Sequence, residues 1–204
     1  MALGLVPAMA GIARLVQLYG GAGITAENAR FFASPLPVVL HIVGSVVFSF
    51  AGALQFSVHL RRSHPGLHHA LGYAVLPFGL VAALSGLWMT QIYPRATMNF
   101  DGPVLYAMRL AVGFGMMFAL WRGLLAAAQC NVARHCNWML RAYALGLGAG
   151  TQVFTHLPWF LVPAWRGETL RTICMGAGWL INLAVAEFII ARRAGDGGPT
   201  PQAR

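Results

Sequence analysis

Long apolar runs separated by short polar breaks set the plan of this chain. A helix needs about 20 mainly apolar residues to cross the hydrocarbon core of a bilayer. Leu36 to Ser57 and Ala70 to Tyr93 meet this with no Arg, Lys, Asp or Glu. Val104 to Leu125 is long enough and carries Arg109 and Arg122 near its ends. Ala142 to Trp165 is charge-free, and Pro158 ends or kinks it early. Thr172 to Ala191 holds one acid, Glu187. The opening stretch, Met1 to Gly20, is apolar but interrupted by Arg14. It has no basic leader and no small-residue cleavage site, so it reads as a retained first span and not a signal peptide. The pattern predicts an all-α, polytopic transmembrane helix bundle of about six spans. The spans fill one domain, residues 1–194, and the Gly/Pro-rich residues 195–204 read as a disordered tail. The breaks Gly20–Pro35 and Pro94–Pro103 read as loops.

Composition sharpens this reading. Hydrophobic residues make up 58% of the 204 and charged residues 9%, and mean hydropathy is +0.64. A soluble domain carries about a quarter charged residues. The lipid bilayer is therefore the expected partner. Fourteen basic residues, all arginine, stand against five acids. They punctuate the ends of apolar runs and form no patch interleaved with aromatics, which argues against nucleic acid as a partner. One set of ends carries Arg61, Arg62, Arg122, Arg134, Arg141, Arg192, Arg193 and Arg204. The other carries Arg30, Arg95, Arg109, Arg166 and Arg171, mixed with Glu27, Asp101 and Glu168. The richer side is expected to be cytoplasmic, with both termini inside, in a bacterial inner membrane. Cys130, Cys136 and Cys174 form no disulfide framework.

Histidines supply the candidate chemistry. Five of the seven lie at span edges or just inside them, at two heights. His68 and His135 open spans at the arginine-rich end, while His41 and His156 fall near the other. Gly44, Ser45, Phe48, Gly52 and Gln55 share the helical face of His41, a stripe suited to a buried helix interface. Gly72, Gly79 and Gly86 share the face of His68. Such a groove admits a neighbouring helix or a flat macrocycle. On one unbroken helix His135 and His156 would lie about 31 Å apart. Opposed imidazoles from two helices are what a low-spin b-type haem requires. His68 with His135, and His41 with His156, are thus candidate cofactor-binding pairs, and the first pair is also the candidate metal site. The competing reading is structural: polar residues snorkelling to headgroups, or hydrogen bonds between helices. His59, His64 and His69 fit snorkelling better.

Other polar residues fill supporting roles. Arg109 and Arg141 could neutralise haem propionates or contact lipid headgroups. Glu187 is expected to pair with Arg141 or Arg192, and Asn182, Gln55 and Gln152 to tie helices together. Cys130 and Cys136 beside His135 are a weak zinc alternative, for no compact Cys/His spacing is present. There is no GxSxG, Walker loop or HExxH, so the chain carries no recognisable soluble catalytic motif.

Four stretches together resemble a known family: LHIVGSVVFSFAGALQF (Leu40–Phe56), LRRSHPGLHHALGYAV (Leu60–Val75), ARHCNWMLRAYAL (Ala133–Leu145) and INLAVAEFII (Ile181–Ile190). The family is the bacterial predicted membrane proteins of domain of unknown function 2306. Its pattern maps onto His41 with Gln55–Phe56, His68 with Gly72, and His135 with Trp138, Met139 and Arg141. His156 and the cysteines lie outside that pattern. The resemblance spans about Leu36 to Ala191 and implies no activity. The layout is also loosely similar to six-helix haem-b proteins of the ferric-reductase type, although the fourth span here has no histidine. Two functions are expected from these observations. The first is b-type haem binding with electron transfer, alone or within a redox complex. The second is a haem-free accessory subunit of a larger respiratory or photosynthetic complex. A metal-ion or small-molecule transporter is a third and weaker one.

Overall fold

The computed structural model describes residues 2–93 and 100–195. Among them the chain is helical, with no strand. The elements are α1 (Ala2–Tyr19), α2 (Ala29–Ala33), α3 (Pro35–Gln55), α4 (Val58–Ser63), α5 (Pro65–Ile92), α6 (Pro103–Ala128), α7 (Val132–Gly146), α8 (Gly148–Thr155), α9 (Leu157–Leu161), a 3-10 turn (Pro163–Trp165) and α10 (Glu168–Gly195). Five of these, α1, α3, α5, α6 and α10, are long and apolar enough to cross a membrane. Proline opens α3, α5 and α6, where its missing N–H costs no helical bond. The Asn131 side chain caps α7 by accepting from the Arg134 N–H at 3.0 Å.

The fifth expected span differs from the reading of a single helix over Ala142–Trp165. It starts at Val132 and is cut into α7, α8 and α9. One break falls at Leu147, between Gly146 and Gly148, and the other at His156, just before Pro158. Glycine weakens a helix and proline ends one, so the sequence breaks itself at both points. The tail after Gly195 and most of the Pro94–Pro103 loop lie outside the described residues.

The core is formed by Phe48 of α3, Val75 and Ala83 of α5, Met116 and Leu120 of α6, and Ala142 and Leu145 of α7. Large apolar side chains such as Phe114, Val185 and Phe188 are exposed, as in a bundle whose solvent is lipid. The stripe on α3 meets the glycine face of α5. Phe48 packs over Gly79, the His41 ring lies on Gly86, and the Gln55 amide faces Gly72. The α5 groove is therefore filled by α3, and the helix-packing explanation of its glycines holds.

Polar bonds tie α8 to α10. Gln152 donates to the Met175 carbonyl at 3.0 Å and Thr155 to the Cys174 carbonyl at 2.6 Å. Thr151 donates to Asn182 Oδ1 at 2.6 Å, and Asn182 donates to the Ala144 carbonyl of α7 at 3.0 Å. In lipid such bonds are a main source of helix association.

Candidate functional site

His68 and His135 come to the same end of the bundle. His68 lies in the first turn of α5 and His135 in that of α7, both half-buried. His135 is within electrostatic reach of His68, as are His69 and Arg61. The His135 Nδ1 lies 2.9 Å from the Gly123 carbonyl of α6. A carbonyl only accepts, so Nδ1 carries the hydrogen and Nε2 keeps its lone pair. Arg61 of α4 donates to Cys136 Sγ at 3.7 Å. Among the described residues no three His, Cys, Asp or Glu side chains are placed to hold a metal ion. His59, His64 and His69 are exposed, in line with the snorkelling reading.

The other pair is not brought together by any described contact. His41 turns to α5, where its Nδ1 donates to the Ala82 carbonyl at 2.9 Å with Ser85 Oγ 3.3 Å away. His156 turns back on its own helix and donates from Nδ1 to the Gln152 carbonyl at 2.8 Å. His41 lines a cavity of about 450 Å³, and His156 does not. Neither His68 nor His135 lines it.

That cavity is the feature sequence reasoning missed. It runs between α1, α3, α5 and α6, with α8 and α10 behind. Along α1 it is lined by Leu3, Gly4, Pro7, Ala8 and Gly11, mostly small residues. One end is apolar, around Phe48, Met116 and Leu145, and the other end is charged. There Asp101 accepts a two-point contact from Arg109, at 3.0 and 3.2 Å, and a third bond from Arg171 at 2.8 Å. Burial pushes the Asp101 carboxyl upward, but the two guanidinium groups outweigh it and hold the group below the usual carboxylate range. Arg30 also lines this end and is in electrostatic reach of Asp101, Arg109, Arg171 and Arg14. The available signal was that Asp101 is one of only five acids. Its partner Arg171 lies 70 residues away.

Arg141, a candidate for haem propionates, forks instead onto Glu187 of α10, with bonds of 2.5 and 2.7 Å. It also lies 4.8 Å from the centre of the Trp138 ring. This is the pairing expected for Glu187, and it leaves Arg141 as a clasp between α7 and α10.

The sequence matches the family described as Predicted membrane protein (DUF2306) over residues 38–190. The chain belongs to that family. No curated protein and no solved structure matches it. The matched region covers the histidines of α3, α5 and α7 and leaves all of α1 outside.

Proposed function

We propose that this member of the family of predicted membrane proteins binds b-type haem and passes electrons, with His68 and His135 as the axial pair. Both termini are placed on the cytoplasmic side of a bacterial inner membrane, because the end holding Arg61, Arg62, Arg122 and Arg134 is the richer in arginine. The observation that carries the reading is the His135 ring. Its Nδ1 is engaged by the Gly123 carbonyl at 2.9 Å, and its neighbour in electrostatic reach is a second imidazole from another helix. Ligating histidines are oriented in this way, through the nitrogen that does not ligate. A b-type haem takes two imidazoles, so no three-ligand cluster is needed.

The residues divide the work. Gly123 fixes the tautomer and plane of His135. His68 of α5 and His135 of α7 would hold the haem iron, the latter through Nε2. Arg61, beside Cys136 at the same end, offers a cation for carboxylate groups. When bound, the haem supplies one-electron transfer.

The test is an absorption spectrum of the full chain purified from haem-replete cells. A Soret band that disappears in both His68→Ala and His135→Ala, and persists in His59→Ala, is the expected result. Colourless wild-type protein overturns the reading and leaves the haem-free accessory subunit of a larger complex. A band that survives both substitutions overturns the assigned pair.

A further inference from the structure

The cavity is independent of the His68–His135 end, and its walls describe a ligand. We infer that it is a second site, taking a single-chain amphiphile with an anionic carboxylate or phosphate head. The head lies against Arg30 and Arg109, and the chain runs along α1 toward Phe48 and Met116.

Size comes first. About 450 Å³ is in the range of pockets that enclose one small organic molecule. The space opens at the bundle surface, so a ligand can enter it from outside the bundle. Its shape is elongated. Along α5 it extends from Tyr93 back to Ala82, about 16 Å at 1.5 Å per residue. A free inorganic anion would use only the charged mouth and leave the apolar length empty.

Charge decides the head group. Arg30 and Arg109 line the mouth against Asp101, and Arg14 and Arg171 lie in electrostatic reach of Arg30. Two lining arginines against one lining acid leave the mouth positive. Asp101 already accepts three bonds from Arg109 and Arg171, so its oxygens are well occupied. The fork on Asp101 uses two of the five N–H donors of Arg109. The hydroxyls of Thr90, Tyr93 and Tyr106 at the same mouth already donate to the Gly86 carbonyl, the Ser34 carbonyl and Gln91 Oε1, so the arginines carry the recognition of the head. A cationic or neutral head has no comparable complement there.

The chain is read by the remaining walls. The α1 side offers Leu3 and the smaller Gly4, Pro7, Ala8 and Gly11, and the facing side offers Phe48, Met116 and Leu145. Ser45 and Ser49 lie one and two turns beyond His41 on α3. A two-chain lipid exceeds the volume, so the proposal commits to one chain.

The experiment measures equilibrium binding to the full chain in nanodiscs of neutral lipid. The probes are lauric acid, lauryl phosphate, lauryl alcohol and inorganic phosphate. Saturable binding of lauric acid or lauryl phosphate is expected, at least about tenfold tighter than lauryl alcohol or inorganic phosphate. The tighter of the two acids identifies the head as carboxylate or phosphate. Arg30→Gln should weaken that binding by about tenfold, and Ser45→Leu, which fills the cavity without touching its charged end, should block it while the protein still melts cooperatively. Equal binding of lauric acid and lauryl alcohol overturns the head assignment. Inorganic phosphate bound as tightly as lauryl phosphate overturns the chain assignment. A Soret band lost in His41→Ala and kept in His68→Ala would give the cavity to haem and overturn the inference. A colourless protein that binds lauric acid would sink the haem proposal and leave this one standing.

Discussion

Replacing Gly44 by alanine tests the contact on which both the fold and the cavity depend. Gly44 is buried where α3 crosses α5. A Cβ at this position would sit 2.9 Å from the Ala82 nitrogen, 2.9 Å from the Phe78 oxygen and 3.2 Å from Val81 Cγ1. Two of these atoms belong to the main chain of a helix and cannot rotate away, so α3 and α5 must part. Overpacking of this kind costs about 1–3 kcal/mol, and the better helix propensity of alanine returns at most about 1 kcal/mol. With the full return the net loss is about 0–2 kcal/mol. For a chain of this size that lowers the melting temperature by up to roughly 8 °C. The same separation stretches the 2.9 Å bond from His41 to the Ala82 carbonyl. Gly115→Ala is the matched control, because its nearest contact would be Leu145 Cδ1 at an ordinary 3.6 Å. It should be neutral, or more stable by up to about 1 kcal/mol. The readout is thermal melting in nanodiscs followed by tryptophan fluorescence. Gly44→Ala melting at or above Gly115→Ala would refute the close α3–α5 approach.

Three further experiments probe other joints. Asp101→Asn should destabilise by roughly 1–3 kcal/mol, by leaving arginines packed together without their carboxylate. Since the folded carboxyl titrates below its unfolded value, its contribution is present above about pH 4 and lost as the pH falls below that. Wild-type melting should therefore drop on acidification by more than that of Asp101→Asn, and parallel curves would discount the cluster. A double-mutant cycle on Arg141→Ala and Glu187→Ala should give a coupling of about 0.5–1.5 kcal/mol. Arg141→Lys should keep less than half of it, because lysine cannot fork, and full retention would mean the pair acts only as point charges. Cys130 holds a φ of 55°, the left-handed region that glycine adopts freely. Cys130→Gly should raise stability by about 1 kcal/mol in the same melting assay, and a decrease would show that the thiol is needed there.

What the sequence disclosed follows from where each interaction lies along the chain. The bilayer imposes length and freedom from charge on a span, and both are local properties. That is why α3, α5 and α6 were legible to within a few residues. The polar start of α7 blurred its boundary. Arg134, His135, Asn137 and Arg141 lower its hydropathy, so the apolar run registers only from Ala142, although His135 reads as opening that span. The α3 stripe of His41, Gly44, Phe48 and Gln55 was legible because helical periodicity places those residues on one face whatever they meet. Its partner could be guessed only as "another helix".

The charged cluster obeys the opposite rule. Asp101, Arg109, Arg171 and Arg30 come from a loop and three helices, and neither spacing nor periodicity ties them together. The orientation of the histidines was hidden for a different reason. His41, His135 and His156 are each held by a main-chain carbonyl, and every residue has one. Residue type therefore identified which groups could ligate, while the fold decided which face a cavity. The sequence ranked His68 and His135 first by their placement at helix starts. The geometry adds that His135 is pre-set through Gly123, and it separates His41 from His156 by giving only His41 a cavity. The two proposals accordingly rest on different ends of the bundle. Haem needs the carbonyl-oriented imidazole at the arginine-rich end, and the amphiphile needs the small-residue face of α1. Substituting at one end should leave the binding measured at the other unchanged.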